Sequence, residues 1–211
     1  MAEISAALVK QLRDKTGAGM MECKKALTEA NGNVAEAEVI LRKRGIASAS
    51  KKAARATKQG VIGTYIHPGS QLGVMVEINC ESDFVARTED FQQLVHDVAM
   101  QIAAADPQFL RREEVTPEVL EKEKEIAKDR ARQEGKPDKI LDKIVEGRLA
   151  KYYEEVCLLE QPFIKDNSMT VQQVIAALIG KLGENITIAR FVRMKVGETA
   201  PLEQATEEQA G

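Results

Sequence analysis

The stretch Gly60-Val61-Ile62-Gly63-Thr64-Tyr65-Ile66-His67-Pro68-Gly69-Ser70-Gln71-Leu72-Gly73-Val74-Met75-Val76-Glu77-Ile78-Asn79 decides the fold class. Here the hydrophobic repeat drops from the helical value of about 3.6 residues to the strand value of about 2. Ile62, Thr64 and Ile66 alternate with Val61, Gly63 and Tyr65, and Pro68-Gly69-Ser70 supplies a turn. Leu72, Val74, Val76 and Ile78 then alternate with Gly73, Met75, Glu77 and Asn79. The pattern predicts an antiparallel hairpin with one apolar face. Nothing else in the chain pairs with it as well as Ile186, Ile188, Arg190, Val192, Met194 and Val196, again every second residue. Three antiparallel strands with one apolar side need helices across that side, so the fold class is α+β.

Upstream, the repeat is helical. Ile4, Leu8 and Leu12 share one face, and Thr16-Gly17-Ala18-Gly19 ends that helix. A second helix runs from about Met21 to Ala30 and stops at Asn31-Gly32. Asn33 with Glu36 three residues on has the pattern of a capping box, opening a third helix expected to end before Gly45. Residues 1–45 thus read as a three-helix bundle of UBA-like proportions, and residues 46–59, rich in Ala and Lys, as a helical linker with a solvated basic face. Residues 60–197 form the α+β core.

Within the core, Thr88 is placed to cap a helix whose stripe is Phe91, Leu94, Val95, Val98 and Ile102, with His96 pointing away. Residues 116–157 read as two helices broken at Gly135-Lys136-Pro137. The first arm carries too few apolar residues to be core, so the pair is expected to project as a helical hairpin. Thr170 with Gln173 forms a capping box ahead of Val171, Val174, Ile175, Leu178 and Leu182, with Gly183 at the end. The acidic, polar residues 198–211 read as a flexible tail.

Composition narrows the function. The 211 residues are 44% hydrophobic and 30% charged, enough for a core and too apolar for a disordered chain. A net charge of -3 gives no pull toward nucleic acid, and 4% aromatics without Trp cannot build a base-stacking platform. No apolar run approaches the ~18 residues of a membrane span. The start lacks the pattern of a signal peptide, so a cytoplasmic protein is expected. Cys23, Cys80 and Cys157 are too few and too scattered for a disulfide framework or a zinc site, and neither His67 nor His96 lies near them in sequence. No phosphate loop, dinucleotide fingerprint, His-Glu-x-x-His or nucleophile elbow occurs. A non-enzyme without cofactor or metal is expected.

Two segments look odd for a chain that only has to fold. Glu81-Ser82-Asp83-Phe84-Val85-Ala86-Arg87 puts a Phe in a polar loop at a sheet edge. Phe84 needs a pocket in its own chain or in a partner, and the residues alone favour its own core. Gly19-Met20-Met21 sets adjacent Met residues at a turn between short helices, where one can serve as an adaptable contact surface or both be partly buried.

These same segments carry a family resemblance. Leu12-Arg13-Asp14-Lys15-Thr16-Gly17-Ala18-Gly19-Met20-Met21-Glu22-Cys23-Lys24-Lys25-Ala26-Leu27 resembles the N-terminal signature of the bacterial translation elongation factor Ts family. Val76-Glu77-Ile78-Asn79-Cys80-Glu81-Ser82-Asp83-Phe84-Val85-Ala86-Arg87 resembles its second signature. Gly135-Lys136-Pro137 through Val145-Glu146-Gly147-Arg148 to Gln161-Pro162-Phe163 resembles its helical hairpin region. The resemblance implies a nucleotide exchange factor for elongation factor Tu, binding both its GDP-bound and its nucleotide-free state. It implies that Ser82, Asp83, Phe84 and Val85 intrude on the GTPase, with Phe84 wedged between its helices and the Mg²⁺ site disrupted. It implies that Met20 and Met21 touch the GTP-binding domain near its phosphate loop. Ser82 stands where the family usually has Thr, another hydroxyl. His67, in Tyr65-Ile66-His67, is a weaker partner-binding candidate, since longer members carry a similar segment on a second core copy. This chain has a single copy, which resembles the short members, so a homodimer and a two-plus-two complex are expected. A helical adaptor without exchange activity is the alternative.

Overall fold

In the computed structural model, residues 4–198 are described. The expected tail lies outside them from residue 199 on. The N-terminal bundle consists of α1 (Ala6–Thr16), α2 (Met20–Glu29) and α3 (Val34–Lys52). Ser5 and Asn33 cap α1 and α3 through their side chains, and Gly17 ends α1 in the left-handed conformation. Val9, Leu12, Cys23, Ala26, Leu27, Ala30 and Ala37 form its small core.

The third helix does not stop before Gly45. It continues to Lys52, so most of the expected linker is the second half of α3. Gly45 is a contact point and not a helix end: a Cβ there would lie 3.5 Å from the Ala176 carbonyl of α8 (Val171–Leu182). The missing side chain lets two helices approach closely, and Ala49 packs against the main core.

That core lies under a sheet of three antiparallel strands in the order β1 (Gln59–Ile66), β2 (Leu72–Cys80), β5 (Ile186–Lys195). Val74, Val76 and Ile78 of β2 are buried against α5 (Glu89–Ala105) and α8. In β1, Val61, Gly63 and Tyr65 face inward, while Ile62 and Ile66 face out. Gly63 pairs with Val76 under α5, where a Cβ would meet the Val95 side chain at 2.1 Å. Only glycine lets the helix lie this close.

β5 departs from the simple alternation. Ile188 pairs with Ile78 but Arg190 pairs with Glu77, leaving Ala189 as a bulge. One extra residue reverses the facing of everything after it. Ile186 and Ile188 are buried, whereas Val192, Met194 and Val196 are exposed and Phe191 packs inward.

Beyond the sheet, α6 (Pro117–Gln133) and α7 (Leu141–Val156) pack on each other as the helical hairpin. Ala127 and Ala131 are the buried residues of the first arm, Leu141 and Val145 of the second. A small ribbon, β3 (Pro162–Phe163) with β4 (Asp166–Thr170), leads into α8 and has no counterpart in the sequence reading. Buried Gln101 ties this ribbon to α5: its amide donates to Gln161 Oε1 (3.1 Å) and the Pro162 carbonyl (3.2 Å), and its Oε1 accepts from Ile164 N (2.8 Å). No helix among the described residues is long and apolar enough to cross a membrane.

Candidate functional site

The loop expected after β2 contains a single helical turn, α4 (Asp83–Ala86). Ser82 precedes it and Thr88 caps the following helix α5. Ala86 turns inward and is buried, which leaves Phe84 on the opposite side, 79% exposed. The favoured reading from the residues alone, Phe84 inside its own core, therefore does not hold. In α4 the apolar anchor is Ala86, with Val85 partly buried beside it. A phenyl ring standing free in water on a short, well-held turn is a ready contact for a partner pocket. Asp83 pairs with Arg87 one turn later at 3.0 Å, both on the water side.

The turn is held from several directions. The Ser82 hydroxyl donates to Glu184 Oε1 (2.7 Å) and the Ser82 backbone N–H donates to Glu184 Oε2 (2.9 Å). The Cys80 thiol donates to the Ser82 carbonyl at 3.1 Å. Burial, and then the Glu184 carboxylate, push that thiol above its ordinary range. A neutral donor at the base of the turn therefore suits the site. Gln92 Nε2 donates to the Ala86 carbonyl at 2.6 Å and closes the far side. A hydroxyl at position 82 is thus engaged, which either Ser or Thr can satisfy.

Met20 and Met21 open α2 immediately after Gly19 and are 44% and 65% exposed. Both are free to touch a partner, because the bundle's core takes Cys23, Ala26 and Leu27 from the other face of α2. The two segments meet indirectly at the end of α8. Lys181 passes Gly17, where a Cβ would lie 3.5 Å from its Cδ, and its ammonium pairs with Asp90 at the start of α5 (2.7 Å). A cleft of about 410 Å³ between the bundle and α8 is lined by Thr16, Gly19, Arg42, Arg44 and Lys181, among others. Its cations are already engaged: Arg44 with Glu22 and Glu29, Lys181 with Asp90, and Arg42 with the Ser168 carbonyl.

His67 lies elsewhere. It follows β1 at the turn end of the hairpin, with its Nδ1 3.0 Å from the Tyr65 hydroxyl. Phe84 follows β2 at the other end. The nine residues of β2 make eight steps of about 3.3 Å, which sets the two ends roughly 26 Å apart. One chain therefore does not bring His67 and Phe84 together.

The residues missed from sequence are Glu184 and Asn185, in the turn between α8 and β5. Asn185 is 2% exposed; its N–H donates to Glu81 Oε1 (2.6 Å) and its amide to the Ala53 (3.4 Å) and Arg55 (2.9 Å) carbonyls. Their only outward sign in the chain is a polar pair directly after the Gly183 helix stop. Among the described residues no group of three or more His, Cys, Asp or Glu side chains is arranged to hold a metal ion.

The outer face of the sheet is a second exposed feature. Across it run Thr64–Met75–Val192 and Ile66–Gly73–Met194, flanked by Ile62 and Val196, with the Glu77–Arg190 ion pair at one side. Neighbouring exposed apolar side chains on three strands make more than the scattered apolar surface of an ordinary monomer.

Comparison with known proteins matches this chain along nearly its whole length. The sequence profile of the family described as "Elongation factor TS" matches residues 3–198. The elongation factor Ts of Solibacter usitatus is 69% identical over 207 residues, 98% of each chain. That of Koribacter versatilis is 63% identical, covering 97% of this chain and 95% of the relative. That of Desulforamulus reducens is 60% identical, covering 94% and 91%.

Proposed function

The chain belongs to the elongation factor Ts family, and on that ground we propose that it is a guanine nucleotide exchange factor for elongation factor Tu. It works in the cytoplasm and performs no catalysis of its own. The observation that carries the reading is Phe84, exposed on a braced turn within the second family signature. GDP is held in a GTPase by a phosphate loop and by Mg²⁺ bridging phosphate and protein. A protein that binds the nucleotide-free state better than the GDP state lowers GDP affinity by the same factor. Ser82, Asp83, Phe84 and Val85 supply that preference by intruding where the Mg²⁺ site must give way. Met20 and Met21 make a second contact near the phosphate loop. Residues 1–45 and 60–197 act as the two partner-facing units.

Two copies of the chain form the active species. The apolar outer face of the sheet is the surface on which they meet, through Ile66, Met75, Val192 and Met194. The distance between His67 and Phe84 supports this: a second copy can contribute the His67 end to a complex with the first copy's Phe84. The resulting complex contains two factors and two GTPases, with no direct contact to nucleic acid.

The test is release of fluorescent GDP from elongation factor Tu, which this protein accelerates. Unchanged release with the wild-type chain refutes the reading. Binding that is equally tight with and without nucleotide identifies an adaptor instead.

A further inference from the structure

A single helical turn does not hold its shape unaided, because its hydrogen bonds are too few to offset the ordering of its backbone. Beside the local braces from Cys80 and Gln92, its two-point grip comes from a turn 102 residues later in the chain. Glu184 takes both donors of Ser82, backbone and hydroxyl, on its two carboxylate oxygens. The neighbouring Asn185 binds the end of the α3 region and Glu81, and Glu81 also faces Arg55 at 3.5 Å. Glu184 is thus anchored on a buried neighbour and holds the residue two places before Phe84.

We propose that Glu184 is a positioning residue for exchange: its carboxylate clamps Ser82 and so sets the direction in which Phe84 leaves the sheet. The proposal rests on the reading that the Phe84 turn is the exchange element. Hydrogen bonds to a carboxylate are among the strongest side chains make, and a two-point grip fixes orientation as well as distance. A wedge already ordered before contact avoids the entropy of ordering at contact. Without the clamp the turn spreads over several orientations. Apparent affinity for the GTPase then falls by the fraction that remains competent.

The experiment is a double-mutant cycle on GDP release from elongation factor Tu, using the full chain as wild type, Glu184→Ala, Phe84→Ala and the double variant. The second-order rate constant of release is measured, and the melting temperature of each protein is recorded. Glu184→Ala should lower that constant roughly tenfold in the wild-type background, the scale of lost charge-assisted hydrogen bonds, and less than about twofold in the Phe84→Ala background. Glu184→Gln, which keeps one carbonyl acceptor, should recover part of the loss and serves if the alanine variant does not fold. An equal loss in both backgrounds means that Glu184 only stabilises the fold, and it overturns the proposal. No loss in the wild-type background overturns it as well. If Phe84→Ala alone leaves release unchanged, the exchange-element reading fails first and takes this proposal with it.

Discussion

Replacing Phe84 by alanine should cost the protein most of its exchange activity and almost none of its stability. A Phe side chain offers roughly 200 Å². With 79% of the residue exposed, about 160 Å² awaits burial in a partner, worth about 4 kcal/mol at ~25 cal/mol per Å². Alanine retains about a third of that surface, so truncation removes about 2.7 kcal/mol. It also spares about 0.7 kcal/mol of ring ordering, leaving a net loss of about 2 kcal/mol, the size of an interface hot spot. At 1.4 kcal/mol per tenfold this is roughly a 25-fold fall in the second-order rate constant of GDP release. The assay is stopped-flow release of fluorescent GDP from elongation factor Tu at subsaturating factor. Phe84 belongs to neither core cluster, so unfolding free energy should stay within about 0.5 kcal/mol of wild type. A release constant within threefold of wild type, in a variant of unchanged stability, refutes the argument that this ring is the wedge.

Other expectations follow from other parts of the molecule. Light scattering should give twice the 23.2 kDa chain mass, and Met75→Glu, outward between Thr64 and Val192, should give the single mass with the fold intact; a wild-type monomer at micromolar concentration counts against the sheet-face dimer. Gln101→Leu strands Ile164 N–H and Gln161 Oε1 in the interior and should lower unfolding free energy in urea by about 2–4 kcal/mol; a loss under about 1 kcal/mol would show the ribbon does not depend on it. Burial, with Glu160 nearby, pushes the Cys157 thiol from 9.0 to about 11. The folded state therefore keeps its proton longer than the unfolded state, a contribution fully present below about pH 9 and lost as pH rises through about 11. Wild type should lose stability across that window faster than Cys157→Ala, and parallel curves would contradict it.

The hairpin, the third strand, the caps and the helical hairpin follow from local patterns, because each is dictated by residues close in sequence. What escaped depends on residues far apart. Gly45 looks like a helix stop until α8 lies against it. The bulge at Ala189 inserts one residue without disturbing the every-second apolar pattern, so Val192 and Met194 look like core when they face water. Phe84 is undecidable locally, because Ala86, a much smaller residue, takes the buried position of the turn. Glu184 shows in the sequence only as half of a polar pair after Gly183, since a carboxylate in a turn looks like solvation until Ser82 is found beneath it.

The unbroken course of α3 has a mechanical consequence. Nineteen residues at about 1.5 Å each make a rod of roughly 28 Å that has one end in the bundle and the other in the main core. Two contact points joined by a flexible tether must find their sites separately, at an effective concentration set by the tether. Points joined by a rod arrive together or not at all. On the proposed reading, a partner gripped at Met20 and Met21 would meet Phe84 at a preset spacing and angle, so that the second contact would add little entropic cost. The same stiffness makes the pair selective: a surface whose two receiving sites are spaced differently by a few ångströms can engage only one of them.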